Sequence, residues 1–370
     1  MGLLKGTLTF ARYRIDGKHP ANFDTFIDAQ LKKYAFRESA ALGEEDNAGW
    51  TSLGNVLDTD FQKADYALGD FLLFSLRIDR KMLPSSLLKI RLLEGEKKLR
   101  AESGGKRIYR EQREALKEQI RNTLLTGSHA VPSFHGVCWS VAKNTLLFSS
   151  LTEKAAEEFQ DLFKHSFGLT LYPFIPWEGE PIAGAGKAVE KKAGTPRGAD
   201  KNVSASASSP GREFLTWLWF KSEERGGTVM IPGQGDTGVT FLRRLVLASG
   251  DGDYSESVVC QGLHASLKEG KEALRQGKKI KEARIKLSQD TMDWEFTLKA
   301  DYFHFQSMKL PTSPDEEEEG DAAGRTLERI YLVETAVGIM DRLFELFLAV
   351  RHSPAWVAEE LPRMEKWLHQ

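Results

Sequence analysis

Residues 77–121 constrain the fold more than any other part of the chain, because they are too highly charged to form a core. The segment carries fourteen basic and seven acidic residues, a formal charge of +7 in a chain whose total is −2. Pro84 is suited to a helix N-terminus, and the Ser-Gly-Gly sequence at residues 103–105 interrupts the helical pattern. We therefore predict a projecting helical hairpin over residues 84–125.

The large apolar residues of this segment form only a thin stripe, which is enough to hold two helices together but not to bury them. Each arm of roughly 20 residues would extend about 30 Å. The predicted stripe consists of Leu88, Leu92 and Leu99 on the first arm and Tyr109, Leu116, Ile120 and Leu124 on the second.

The charge of the hairpin favours a polyanion such as DNA as its partner. A helix rich in Lys, Arg and Glu is often only a solvated face, but the net charge of +7 favours binding. A second segment, residues 268–286, has eight basic and three acidic residues. No recognition helix within a known DNA-binding motif is present, so binding should be largely independent of sequence. The candidate DNA-binding residues are Lys81, Lys89, Arg91, Lys97, Lys98, Arg100, Lys106, Arg107, Arg110, Arg113 and Lys117 in the hairpin segment and Lys271, Lys278, Lys279, Lys281 and Arg284 in the second segment.

The remaining chain predicts an α+β protein with two domains. Residues 1–178 form the first domain, and residues 179–211, rich in Gly, Ala, Ser and Lys, form a flexible linker. Residues 212–370 form the second domain, which contains an acidic loop at residues 311–324.

In the first domain, strand and helix patterns predict a βαβ opening and a mixed sheet into which the hairpin is inserted. The predicted elements are a strand at 4–15, a helix at 22–34, a strand at 70–78, a strand pair at 136–141 and 145–150, a helix at 152–165 and a strand at 168–174. The second domain is predicted to have helices at 213–222, 264–276 and 325–350 and strands at 228–231, 240–247, 278–287 and 294–305.

Composition excludes several classes of site. Cys138 and Cys260 are the chain's two cysteines, which rules out a disulfide framework or a cysteine-built zinc site. The eight histidines form no HExxH or related motif. There is no apolar run of 18 residues and no signal-peptide pattern, so we expect a cytoplasmic protein that does not bind membranes.

Three patterns in the sequence are candidate sites of chemistry. The GxGxxG match at residues 233–238 precedes a β-branched segment rather than a helix, which favours a loop between strands. A calcium loop beginning at Asp251 lacks glycine at its sixth position and glutamate at its twelfth. Asp290, Asp293 and Glu295 are candidate magnesium ligands, although acidic residues are common at hairpin turns. We therefore predict that the protein has no catalytic residue and binds no metal or cofactor. We also predict that it is not an enzyme.

Two alternatives remain open from the residues alone. A metal-dependent nuclease acting on DNA would use the three carboxylates at 290, 293 and 295. A protein-interaction scaffold would use the predicted helix at 325–350 to fill a partner's groove and would not bind DNA.

The order of several short motifs resembles the RdgC family of recombination-associated proteins. The first half has Lys-Met-Leu-Pro-Ser at 81–85 before the charged helical pair, then Trp139 on a strand, then Pro-Phe-Ile-Pro at 173–176. The second half has Glu-Phe-Leu-Thr-Trp-Leu-Trp at 213–219 and Ala-Arg-Ile-Lys-Leu at 283–287.

This resemblance implies a homodimer closed into a ring, whose basic central hole encircles duplex DNA and restrains strand exchange by RecA. It implies association with the nucleoid and no chemical reaction. The basic positions that the resemblance places on phosphates are Lys81, Lys89, Lys97, Lys98, Lys106 and Arg107 in the helical pair and Lys278, Lys281 and Arg284 on the later strand.

Overall fold

A computed structural model describes most of the chain outside the predicted linker and the acidic run. The described residues are 2–38, 46–104, 107–177, 210–224, 226–233, 235–249, 256–262, 268–311 and 322–369. Within them, the strands are β1 (Leu8–Asp16), β2 (Asp46–Ser52), β3 (Ala67–Leu68), β4 (Phe71–Lys81), β5 (Ala130–Ser140), β6 (Thr145–Phe148), β7 (Thr170–Pro173), β8 (Thr228–Ile231), β9 (Gly235–Ser249), β10 (Glu256–Gln261), β11 (Lys279–Gln289), β12 (Met292–Lys299) and β13 (His304–Lys309).

The helices range from short turns to one long helix near the C-terminus. They are α1 (Phe23–Lys33), α2 (Lys63–Tyr66), α3 (Ser85–Glu102), α4 (Arg110–Thr126), α5 (Glu153–Phe167), α6 (Pro210–Glu224), α7 (Lys268–Arg275), α8 (Ala322–Arg351), a π-helical turn (Trp356–Glu360) and α9 (Leu361–Leu368). The predicted α+β class, the inserted helical hairpin and the long C-terminal helix are confirmed.

The described residues group into two compact units that do not follow one another along the chain. The hairpin unit contains residues 15–144 and 152–171, and the terminal unit contains residues 1–14, 145–151 and 172–370. The domain boundary predicted at residues 179–211 stays a prediction, because residues 178–209 lie outside the described part of the chain.

The hairpin unit is built on an antiparallel sheet in which β4 lies between β5 and β2 and also pairs with β3. Alternate residues of β4 point to one face, where Phe74 and Leu76 are buried with Trp50 of β2. Helix α5 packs there through Phe159 and Phe163, spaced four residues apart. The indole Nε1 of Trp50 donates to Ser166 Oγ at 2.8 Å, so this polar group is satisfied in the core.

The terminal unit contains a second antiparallel sheet, in the strand order β10-β9-β11-β12-β13-β1-β6, with β8 paired to β9. The pairing of β1 with β13 places Phe10 opposite Phe305, and their rings stack at 5.1 Å. Helices α6 and α8 bury Phe214 and Phe344 against each other at 5.2 Å between ring centroids.

The predicted βαβ opening is wrong. Strand β1 pairs with β6 and β13, whereas β4 pairs with β2, β3 and β5. Strand β2, which the sequence analysis did not predict, occupies the place beside β4. The sheet of the first domain was predicted to be mixed. In the structure its strands pair antiparallel, and one isolated parallel bridge joins Ala35 to Trp50.

The strand predicted at residues 294–305 is divided into β12 and β13. A turn at residues 300–303 separates them, and Phe303 there has a φ of 52°. The carboxylate of Asp301 accepts two hydrogen bonds from Arg212, at 2.5 and 2.8 Å. This bidentate pair fixes the turn onto the start of α6.

Candidate nucleic-acid interface

The helical hairpin consists of two exposed helices. Helix α3 has no buried residue, and among the described residues of α4 Leu125 is the buried one. Pro84 caps the start of α3, where its missing N–H costs no hydrogen bond. Gly104 follows α3 with a φ of +67°, a backbone conformation that favours glycine. The hairpin therefore presents nearly all of its side chains to solvent.

Most of the predicted apolar stripe packs between α3 and α4. The closest approach is at Gly95, where an added Cβ would lie 3.1 Å from Ile120 and 3.2 Å from Leu116. The placement of Tyr109 in this stripe is wrong, because 72% of its surface is exposed. Tyr109 is the N-cap of α4, and its backbone N–H donates to Gln112 Oε1 at 3.1 Å. The half-buried residues of the stripe are Leu88, Leu92, Leu99, Leu116, Ile120 and Leu124.

Several hairpin cations are exposed and have no carboxylate partner among the described residues. They need not break an existing ion pair before contacting a phosphate, so they are the strongest candidates for binding DNA. These residues are Lys89, Lys97, Lys98, Arg100, Arg107 and Lys117.

Three other predicted hairpin cations are engaged in ion pairs. Arg91 contacts Glu94 at 2.9 Å and Arg110 contacts Glu114 at 3.0 Å, each within one helix. Arg113 of α4 contacts Glu96 of α3 at 2.5 Å and so links the two helices. The exposed pairs of Arg91 and Arg110 contribute only about 0–1 kcal/mol each, so a phosphate could replace the carboxylate there at little cost.

The base of the hairpin is less available for binding. Lys81, at the end of β4, is half-exposed, whereas Arg77 donates to both carboxylate oxygens of Asp79 at 2.7 Å. The Arg77 guanidinium also lies 3.9 Å from the ring centroid of Phe36, and Arg80 pairs with Glu158. Lys106 lies outside the described residues.

The second basic segment has a different environment, because most of its cations face carboxylates. Lys271 and Lys278 expose only 15% and 10% of their side chains and contact Glu223 at 2.8 Å and Glu256 at 3.1 Å. Lys279 contacts Glu213 at 3.3 Å. Arg284 donates two hydrogen bonds to Glu295 and a third to the Ser307 carbonyl oxygen at 3.1 Å. Lys281 is exposed and has no ion pair among the described residues.

The three carboxylates considered as magnesium ligands are also accounted for by local contacts. Asp290 occupies the β11–β12 turn with a φ of 52°. The hydrogen bond from Ser288 and the contact with Lys286 lower the pKa of Asp293. Burial raises the pKa of Glu295, but the pairs with Arg284 and Lys309 outweigh it and hold that pKa below its usual value. In the described part of the chain, no group of three or more His, Cys, Asp or Glu is placed to hold a metal ion.

The glycine-rich motif at residues 233–238 lies between two strands and not before a helix, as predicted: Gly233 follows β8, and residues 235–238 are the start of β9. Strands β8 and β9 pair so that Ile231 lies opposite Gly235. Gly233 and Gly235 have φ values of +81° and +84°, which explains the glycines without a ligand. Asp251, proposed to begin a calcium loop, lies outside the described residues.

The sequence analysis missed a second apolar face on α3. Leu87, Ile90 and Leu93 are exposed by 37%, 54% and 56%. Their three-residue spacing places them away from the stripe that contacts α4. The three-residue spacing of Leu87, Ile90 and Leu93 is the signal in the sequence that indicates this face.

No helix in the ranges that the structure describes is long and apolar enough to cross a membrane. Residues 9–178, which include the hairpin, match the family model described as "RdgC: Putative exonuclease, RdgC". No curated protein matches the chain.

Proposed function

Because the chain belongs to the RdgC family, we propose that it binds double-stranded DNA without sequence specificity and restricts the access of RecA to that DNA. Family membership supports a role related to recombination. DNA binding and antagonism of RecA are the finer part of the proposal, and they rest on the charge and exposure of the hairpin.

The observation that carries the proposal is the set of six exposed hairpin cations, Lys89, Lys97, Lys98, Arg100, Arg107 and Lys117, that have no carboxylate partner among the described residues. Helices α3 and α4 bury almost nothing, so the fold does not require their lysines and arginines for packing. Contacts with phosphates release condensed counterions, which is favourable at low salt and carries no sequence information. With about 6 to 10 such contacts, affinity should fall by about 10³ to 10⁵ between about 50 and 200 mM salt.

The protein would act by occupancy rather than by chemistry. A homodimer that coats or encircles duplex DNA, in association with the nucleoid, would block the path of a recombinase filament. In this mechanism the hairpin supplies the main phosphate contacts and Lys281 supplies a further one. Lys271, Lys278, Lys279 and Arg284 would bind a phosphate only by giving up a carboxylate partner.

The description of the family model favours a second candidate, an exonuclease. The carboxylates at 290, 293 and 295 are the candidate metal ligands for that reaction. Asp293 and Glu295 are already neutralised by Lys286 and Arg284, so metal binding would require these ion pairs to separate.

Binding to supercoiled plasmid, linear duplex and single strands across a salt series, with magnesium present and products separated on a gel, distinguishes the candidates. We expect intact duplex in salt-sensitive complexes whose affinity depends little on sequence. Shortened DNA would instead establish the exonuclease. No binding at any salt concentration would contradict the proposal and leave a protein-interaction scaffold based on α8.

A further inference from the structure

Helix α3 is apolar on two opposite sides. Leu88, Leu92 and Leu99 lie on the side that contacts α4, as the close approach at Gly95 shows. At 3.6 residues per turn, Ile90 lies on the opposite side of the helix, with Leu87 and Leu93 beside it. These three side chains form the outer apolar face, and the hairpin itself does not use them.

Cations border the outer apolar face along both edges. Lys89 and Arg100 follow one edge, Arg91 and Lys98 follow the other, and Lys97 continues the face toward the C-terminal end of α3. All five are exposed. Glu94 also lies at this face, where its charge is compensated by Arg91 at 2.9 Å.

This arrangement limits what can cover the face. Two copies of α3 packed through their outer apolar faces would bring their bordering cations together, and like charges disfavour such contacts. The surface is instead complementary to a groove with anionic walls and apolar groups on its floor. The major groove of B-DNA has these properties, since phosphates line its edges and thymine C5-methyl groups project from its floor.

The dimensions are also compatible with this groove. It is about 12 Å wide and admits one α-helix. Helix α3 has 18 residues and is about 27 Å long. Because α4 packs on the side of α3 opposite the outer apolar face, it would not obstruct entry. We propose that α3 lies in the major groove of duplex DNA, with Leu87, Ile90 and Leu93 against thymine methyl groups and the bordering cations on the phosphates of both strands.

This inference rests on the proposed duplex binding and specifies how that binding occurs. Apolar side chains form no hydrogen bonds with base edges, so they distinguish bases only by the presence of a methyl group. The expected preference is therefore a modest one for thymine within otherwise sequence-independent binding.

Replacement of thymine by uracil in a duplex tests the inference directly. Uracil lacks the C5-methyl group but leaves the phosphates and the minor groove unchanged. We would measure the affinity of the full chain, by fluorescence anisotropy, for two A·T-rich duplexes that differ only in this replacement. At about 0.8 kcal/mol per buried methyl, the thymine duplex should bind about 4-fold more tightly for each methyl contacted.

Two variants connect the preference to the outer apolar face. Ile90→Gln and Leu93→Gln introduce good helix formers at exposed positions and should reduce the thymine-to-uracil ratio toward one. Leu57→Gln is the matched control, because Leu57 is 78% exposed in the same unit but lies outside the hairpin. It should leave the ratio unchanged.

Equal affinity for the two duplexes, with tight and salt-sensitive binding retained, would overturn the inference and leave the proposed function intact. A change in oligomeric state for Ile90→Gln, measured by sedimentation, with an unchanged thymine-to-uracil ratio would also overturn it in favour of a protein partner. Failure to bind either duplex would contradict the proposed function and the inference together.

Discussion

The two basic surfaces of this protein have similar compositions but different structures. On the hairpin, six cations are exposed without a carboxylate partner among the described residues. In the second segment, four of the five candidate cations face carboxylates, and Lys271 and Lys278 are largely buried. Net charge therefore identifies both segments, but in the described part of the chain the hairpin has six candidate cations free to bind a phosphate, whereas the second segment has one, Lys281.

The difference follows from secondary structure. On a sheet, cross-strand neighbours are fixed by register, and pairing of β11 with β12 places Lys286 opposite Glu295 and Ser288 opposite Asp293. Arg284 and Lys286 then reach the acidic residues of β12 diagonally. A two-helix projection has neighbours on one side only, so most of its cations find no partner. The comparison predicts that the hairpin serves binding and that the second surface serves stability.

The largest expected effect is the loss of DNA binding on charge reversal at the hairpin. Lys97→Glu, Lys98→Glu and Arg107→Glu combined should reduce affinity for duplex DNA by about 10²-fold or more at low salt, uniformly across sequences. Fluorescence anisotropy with unrelated duplexes measures this. Lys164→Glu, at an exposed position of α5 in the same unit, is the control and should change affinity by less than about 3-fold. An equal loss in both variants would mean that net charge, not the hairpin, determines binding.

A second prediction concerns His304, a half-buried residue of β13 in the terminal unit. Burial first, and then the charges of Lys299 and Arg12, lower the pKa of His304 from 6.5 to about 4. Between these values the unfolded chain binds a proton that the folded chain does not, so stability should fall as pH decreases from 6.5 toward 4. His304 should contribute about 2 kcal/mol to the loss of stability between about pH 7 and pH 5.

Urea unfolding of wild type and His304→Asn at the two pH values isolates this contribution. The variant should lose less stability on acidification than wild type. Equal losses would show that neither burial nor the neighbouring cations lower the pKa of His304 in the folded protein.

A third prediction tests the structural role of Arg284. Arg284→Ala removes the contacts with Glu295 and the Ser307 carbonyl oxygen and should destabilise the protein by about 2 kcal/mol. Duplex affinity should change by less than about 3-fold, since the hairpin is intact. Lys281→Ala, at an exposed position of the same strand, is the control and should leave stability nearly unchanged. The opposite pattern, stable folding with weakened binding, would assign Arg284 to the DNA interface.

The smallest expected effect is that of Gly95→Ala between α3 and α4. Alanine improves helix propensity by about 1 kcal/mol, and the added methyl crowds the flexible ends of Ile120 and Leu116. The gain in helix propensity and the cost of crowding should nearly cancel, so the free energy of unfolding should change by no more than about 1 kcal/mol. Thermal unfolding of wild type and Gly95→Ala, monitored by circular dichroism, measures this change in stability. A large destabilisation would show that the hairpin is packed more rigidly than its exposure indicates.

The hairpin could be predicted from sequence because its determinants are local. Pro84, the glycines at 104 and 105 and a helical apolar pattern are all contained in one segment. Tyr109 was misplaced because its spacing resembles that of the stripe, whereas its position as the N-cap of α4 directs the side chain outward. A cap residue has non-helical backbone angles, so helical periodicity does not apply to it.

Non-local features could not be predicted in the same way. Strand β2 contains one large apolar residue, Trp50, and so lacks the alternation that indicates a strand. The pairing of β1 with β13 joins residues about 300 positions apart, which no local pattern specifies. The ion pairs of Arg284 and Lys286 depend on the register of β12, and those of Lys271 and Lys279 depend on carboxylates of α6. No local pattern specifies these partners, so the sequence makes the second basic segment look as available as the hairpin.

The most direct test of the central claim is the salt dependence of duplex binding for two matched triple variants. The first combines Lys89→Ala, Lys97→Ala and Lys98→Ala on the hairpin, and the second combines Lys278→Ala, Lys279→Ala and Arg284→Ala on the second surface. The slope of log affinity against log salt should decrease in magnitude by about 3 for the hairpin variant and by less than about 1 for the other. Equal decreases in the two slopes would contradict the account.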